Sequence, residues 1–190
     1  MGNVSSVSLP AGITCDMNAP CWKLKKCYAD RMERYRRNVR EAYMTNYQLL
    51  RNEPNTYWRE VEATIMVSRF FRFHVSGDIP DRDYLEHIVD IADRNSHCQI
   101  LCFTKKYSLV NEFLDDGGII PDNLHLILSI WRDFPFDNPY KLPEAHVRYK
   151  DGCCTTTNGK QCGGNCSNCA ITDEGCWTLK RGESIVFDEH

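Results

Sequence analysis

The sequence predicts an α/β fold on a parallel sheet, an open sheet or a partial (β/α) barrel, with a Cys-rich metal-binding segment towards its C-terminal end. Three observations carry this. Short apolar runs alternate with stretches of helical periodicity, the pattern of βαβ units. The runs near 70–75, 99–104 and 124–130 are continuously apolar, as strands covered on both faces must be. Residues 152–176 place Gly, Asn and Thr between six cysteines without periodicity; such a segment cannot build an apolar core, and bound metal is its natural staple.

The elements follow in order. Val4 to Leu9 is β-tolerant and ends on the turn Pro10-Ala11-Gly12, so it reads as a first strand leading into a cysteine loop over 14–27. Tyr28 to Arg51 has no Pro or Gly and reads as one helix with Met32, Tyr35 and Val39 on a stripe. Pro54 breaks it, and Thr56 to Met66 reads as a second helix with Trp58, Val61 and Ile65 at helical spacing. Phe70 to Val75 is a buried strand closed by Ser76-Gly77-Asp78. Asp81 to Arg94 is a helix with an acidic first turn, Gln99 to Thr104 a strand, Tyr107 to Leu114 a short helix, and Asn123 to Ile130 a strand. His146 to Tyr149 and Glu183 to Phe187 read as further strands. Residues 1–150 thus form a βα-repeat domain, and 151–190 a Cys-rich tail returning to the core.

Composition narrows the function. The chain has 190 residues, 42% of them hydrophobic, and a net charge of −3, so it folds and is no global nucleic-acid binder. No apolar run reaches the roughly 20 residues that span a bilayer. The N-terminus lacks the basic and apolar regions of a secretory signal. Met1-Gly2-Asn3-Val4-Ser5-Ser6 fits a myristoylation pattern too short to carry an assignment. A reducing, cytoplasmic setting is expected, with no membrane partner. There the 11 cysteines, an odd number, are better suited to metal than to disulfides.

Cys15, Cys21 and Cys27 place three thiols in 13 residues. One loop can bring them to a single cluster and leave one iron without a protein ligand, the open position that a catalytic centre needs. Lys23, Lys25 and Lys26 would help hold the thiolates deprotonated. A zinc site borrowing His74 or Asp78 is the main rival. The second group comprises Cys153, Cys154, Cys162, Cys166, Cys169 and Cys176, with a Cys-x3-Cys-x2-Cys string at 162–169. Its spacing is a metal signal that does not separate zinc from iron–sulfur. Cys98 and Cys102 lie in or beside a buried strand and read as core.

Several motifs occur in a telling order: the loop ending Cys27-Tyr28-Ala29, Phe71 to Asp78, Phe103-Thr104-Lys105-Lys106, Asn123 to Ser129, and the late cysteines with Cys176-Trp177. In this order they resemble a phage- and plasmid-borne "gene product" family of unknown function. That family in turn resembles a short, divergent radical S-adenosylmethionine barrel. The resemblance implies a TIM-barrel-like fold and a 4Fe–4S cluster on Cys15, Cys21 and Cys27, while the tail's own cysteine spacing allows a second cluster or zinc. It places Ser76, Gly77 and Asp78 at the turn that holds the methionine amine of the small-molecule cofactor. The usual Cys-x3-Cys-x2-Cys is here Cys-x5-Cys-x5-Cys, and no other glycine-rich ligand segment appears. The residues therefore support a cluster more directly than S-adenosylmethionine, and name no substrate.

Alternation along 70–75 puts Arg72, His74 and Ser76 on one side, where charge is costly unless it lines a polar site. His74, Asp78 and Lys105 are the catalytic candidates, and Ser129 ends the next strand as a further ligand contact. For His74 the plain alternative is a satisfied buried histidine, and for Asp78 a cap on the helix near Asp81. Two functions follow: an iron–sulfur, radical-type enzyme, or a non-catalytic zinc- or cluster-stabilised binding module whose macromolecular partner the sequence does not name.

Overall fold

Seven short strands, every pairing parallel, organise the chain in a computed structural model that describes residues 4–189. They are β1 (Ser5–Val7), β2 (Phe70–Phe73), β3 (Gln99–Thr104), β4 (Leu124–Ile130), β5 (Glu144–Arg148), β6 (Lys160–Gln161) and β7 (Ser184–Asp188), in the order β1-β2-β3-β4-β5-β7-β6. The helices are α1 (Pro20–Lys23), α2 (Tyr28–Tyr35), α3 (Arg37–Asn52), α4 (Pro54–Met66), α5 (Arg82–Arg94), α6 (Tyr107–Asp115) and α7 (Cys166–Thr172). The expected α/β parallel sheet is present. Gly2 and its lipidation pattern begin outside the described residues. Among the described residues no helix is long and apolar enough to cross a membrane.

The first five strands are laid down side by side in one direction. Parallel crossovers are right-handed, so their helices fall on one face. That face is the larger core: Tyr57, Trp58, Val61 and Ile65 from α4, Leu85 and Ile88 from α5, and Val110 and Phe113 from α6 pack on Phe71, Phe73, Ile100, Cys102 and Leu126. Cys98 and Cys102 are core, as read. Beyond β5 the direction reverses, because β6 lies outside β7. A right-handed β6–α7–β7 unit running backwards puts α7 on the opposite face. There Ala170, Cys176 and Trp177 pack on Leu101, Ile127, Ala145 and Ile185. The cysteine-rich segment therefore does contribute to a core. Its helical elements are too short to show a period, yet they meet on the sheet.

The sheet also curls. Lys26, in the loop after edge strand β1, forms an ion pair with Glu189 just past β7. Both β1 and β6 remain edges, so the barrel does not close.

Two local readings need correction. The helix expected over 28–51 is two helices, broken at Arg36 (φ −125°, ψ 91°). Its supposed apolar stripe faces outward: Tyr35 is 82% exposed, and α3 buries no residue. What α2 buries is Ala29 and Glu33. The alternation on β2 also stops early. Arg72 faces the tail, but His74 has φ +61°, a left-handed conformation. That twist returns its ring to the helix side, where Nε2 lies 3.1 Å from the Tyr84 hydroxyl.

His74 is thus a buried neutral base. Burial, then the Arg72 charge, pushes its pKa down to about 3. Above the ordinary histidine range both folded and unfolded states are neutral, and the residue has no pH effect. As pH falls below about 6.5 the unfolded state takes a proton that the folded state refuses, so stability is lost from there down to about pH 3. The expected slope is up to about 1.4 kcal/mol per pH unit. His74→Asn, which tolerates the left-handed backbone, should flatten it in denaturant titrations between pH 6 and 4 (range set by the pKa of about 3).

Candidate metal centre

The loop after β1 is pinned to the turn after β2. The Asp78 amide donates to Thr14 Oγ1 (3.0 Å), the Leu9 amide to the Ser76 carbonyl (3.0 Å), and the Ser8 hydroxyl accepts from the Val75 amide (3.1 Å). Glu33 completes the clamp, accepting from Ser76 Oγ (2.6 Å) and the Ala11 amide (2.9 Å). Glu33 was not legible in the sequence: it is one of many charges on a polar helix, and only the fold brings it to Ser76.

Gly77 (φ +83°) lies where a Cβ would stand 2.8 Å from both Leu9 O and Thr14 Oγ1. The backbone that approaches this glycine is the chain's own. Gly77→Ala should therefore cost about 2 kcal/mol or more through left-handed strain and overlap, read as a lowered thermal midpoint.

Asp78 does not cap α5. Asp81 does, accepting from the Tyr84 amide at 2.9 Å. Both Asp78 oxygens reach the end of β3 instead: Oδ1 accepts from Thr104 Oγ1 (2.6 Å) and the Ile79 amide (2.8 Å), Oδ2 from the Lys105 amide (3.0 Å). Burial pushes its pKa up against these donors and the Lys105 charge.

Cys15, Cys21 and Cys27 follow this clamp in the loop beyond the C-terminal end of β1, and each lies within electrostatic reach of Lys105. Cys21 and Cys27 titrate as a pair: their interaction raises the Cys21 pKa and lowers that of Cys27 to about 6. The Asp30 amide, in the first turn of α2, donates to Cys27 Sγ (3.5 Å). Burial pushes the Cys15 thiol up to about 11, partly offset by the Gly12 amide. Burial alone would lower the Lys105 pKa; Cys21, Asp78 and Cys15 together hold it above its ordinary value. Backbone amides on sulfur and the Lys105 ammonium favour a thiolate at Cys27, whereas Cys15 and Cys21 are held as thiols that a metal would have to deprotonate; as a donor set, the three cysteines fit a soft metal group. Among the described residues no group of three or more His, Cys, Asp or Glu side chains forms a metal-ion site. A pocket of about 200 Å³ opens beside Cys27, lined by Lys25, Lys26, Arg31, Lys150 and Glu189.

The other predicted residues divide. Cys162, Cys166, Cys169 and Cys176 line one pocket on the tail face with Arg72 and Trp177. Cys153 is exposed, and Cys154 bridges to Arg148 beyond that pocket. The Ser129 carbonyl accepts from the Tyr107 hydroxyl, and Ser129 stands two residues beyond Ile127 on β4.

The family model described as Gene product 88 matches residues 2–145. The chain belongs to the Gene product 88 family. The resemblance to a gene-product family is borne out. The Gene product 88 match contains Cys15, Cys21, Cys27, the 76–78 turn and Lys105, and stops before Cys153. No curated protein and no solved structure matches the chain.

Proposed function

We propose that this chain is an iron–sulfur protein in which Cys15, Cys21 and Cys27 hold a 4Fe–4S cluster with one iron free of protein ligand, and that it acts as a radical-type enzyme on a cofactor such as S-adenosylmethionine. The observation that carries the reading is that three loop cysteines lie within electrostatic reach of one ammonium, Lys105, beyond the C-terminal edge of a parallel sheet, where α/β folds place their chemistry. When bound, such a cluster supplies an electron and an open coordination position.

The chain's own residues do the rest. Lys105 offsets thiolate charge, and the Asp30 amide donates to Cys27. Glu33, Ser76 and Thr14 hold the loop in register with β2. Asp78 fixes the end of β3, and so the position of Lys105. Four cations around one carboxylate in the pocket beside Cys27 favour a ligand with an anionic group.

Protein purified without oxygen should be brown, with a broad visible band from sulfur-to-iron charge transfer, and should contain iron and sulfide. A colourless protein carrying zinc at these three cysteines would leave the binding-module reading in its place.

A further inference from the structure

We propose that the tail carries its own closed four-thiolate metal centre made by Cys162, Cys166, Cys169 and Cys176, and that Cys153 and Cys154 take no part in it. It shares with the reading above only the premise that this chain binds metal, and does not depend on what the first cysteine loop holds.

The tail is wound so that three short pieces of chain bring four cysteines to the border of one pocket. Cys166 and Cys169 stand three apart on α7 and so share a helix face. Cys162 approaches from the loop before it, and Cys176 from the 3-10 turn Gly175–Thr178 after it. All four border one small pocket with Arg72, Phe103 and Trp177. Getting there takes three left-handed residues in a dozen: Gly164 (φ +76°), Asp173 (φ +54°) and Gly175 (φ +65°). Asp173 is the left-handed C-cap of α7, a conformation that aspartate tolerates, and it turns the chain towards Cys176. A Cβ on Gly175 would stand 3.0 Å from Cys169 Sγ, so the glycine makes room for that sulfur.

The polar groups aimed at the sulfurs are donors. The Gly164 amide donates to Cys162 Sγ at 3.3 Å, and Arg72 Nη1 to Cys166 Sγ at 3.4 Å. The guanidinium also lies 5.1 Å over the Phe103 ring. A cation and an amide turned to thiols gain most when the thiols are ionised, and a metal is what ionises four of them together. Four thiolates complete a tetrahedral shell and leave no position for a ligand, which marks a structural centre. Drawing the sulfurs together on loading is open to this loop, because Gly163 and Gly164 have free space about them. By contrast Cys153 is exposed, and its backbone serves the turn that returns Tyr149 to Gly152.

The shared chemistry, a thiolate-bound metal, comes as zinc or as an iron–sulfur cluster. Full-length protein is reconstituted without oxygen in parallel arms, one with zinc alone and one with iron and sulfide, and metal is counted per chain. Cys166→Ser/Cys169→Ser should lose one centre's metal, and Cys153→Ser/Cys154→Ser none. In a Cys15→Ser/Cys21→Ser/Cys27→Ser background the tail metal should persist, which separates this centre from the first. Alkylation of the wild type, mapped by mass spectrometry, needs no variant to fold: loading should slow Cys162, Cys166, Cys169 and Cys176 about tenfold or more while Cys153 stays reactive. Equal metal loss in the two double variants, or equal protection of all six cysteines, would overturn the assignment.

Discussion

Asp78→Ala should lower the free energy of unfolding by about 3 kcal/mol, measured as a drop in the denaturant midpoint at unchanged slope. The carboxylate is buried and accepts from three donors, the Thr104 hydroxyl and the Ile79 and Lys105 amides. Alanine leaves all three without this acceptor and removes the negative charge that faces Lys105. It also frees the end of β3 from the turn after β2. Asp78→Asn should fall between the two: its oxygen can still serve Thr104 and Ile79, but its amide faces the Lys105 N–H. A change under about 0.5 kcal/mol for alanine would mean that water replaces the carboxylate and that this turn is not a clamp.

Replacing Cys15, Cys21 and Cys27 together by alanine should remove the iron bound at the first loop while leaving the fold in place. Apart from Cys27 Sγ, which caps α2 by accepting from the Asp30 amide, the loop does not depend on its sulfurs for position. Thr14 is fixed by the Asp78 amide, Ala11 by Glu33, and the segment before it by β1 on β2. The variant should therefore show wild-type circular dichroism and the loss of one cluster's iron and sulfide. The Lys105 ammonium should then titrate lower, since two of the groups that raise its pKa, Cys21 and Cys15, are gone while its burial remains. Unchanged iron in this variant would remove the first loop from the metal chemistry altogether.

Much of the architecture was legible. β3 and β4 announce themselves as largely apolar runs because strands covered on both faces favour apolar residues on each. α5 shows its start through an acidic cap and its inner face through Tyr84, Leu85, Ile88 and Ile91. The break at Arg36 was not legible, since no proline or glycine marks it and a charged surface helix reads the same on either side. Nor was the role of Asp78: an aspartate after a strand and before a helix looks like a cap, and only the neighbouring strand end shows where its oxygens go.

Local chemistry, then, wrote the alternation of strands and helices and the two groups of cysteines into the sequence itself, because periodicity and spacing act between near neighbours. Tertiary structure decided what those groups face. The sign of φ at His74 sends its ring away from Arg72. The crossover from β6 back to β7 turns the tail onto the opposite face, where four of its six cysteines line one pocket. Lys105 feels Cys15 and Cys21 across 84 to 90 residues of chain because neighbouring parallel strands end side by side. Each of these depends on handedness or on contacts between distant residues, and neither is carried by the spacing of side chains along a line.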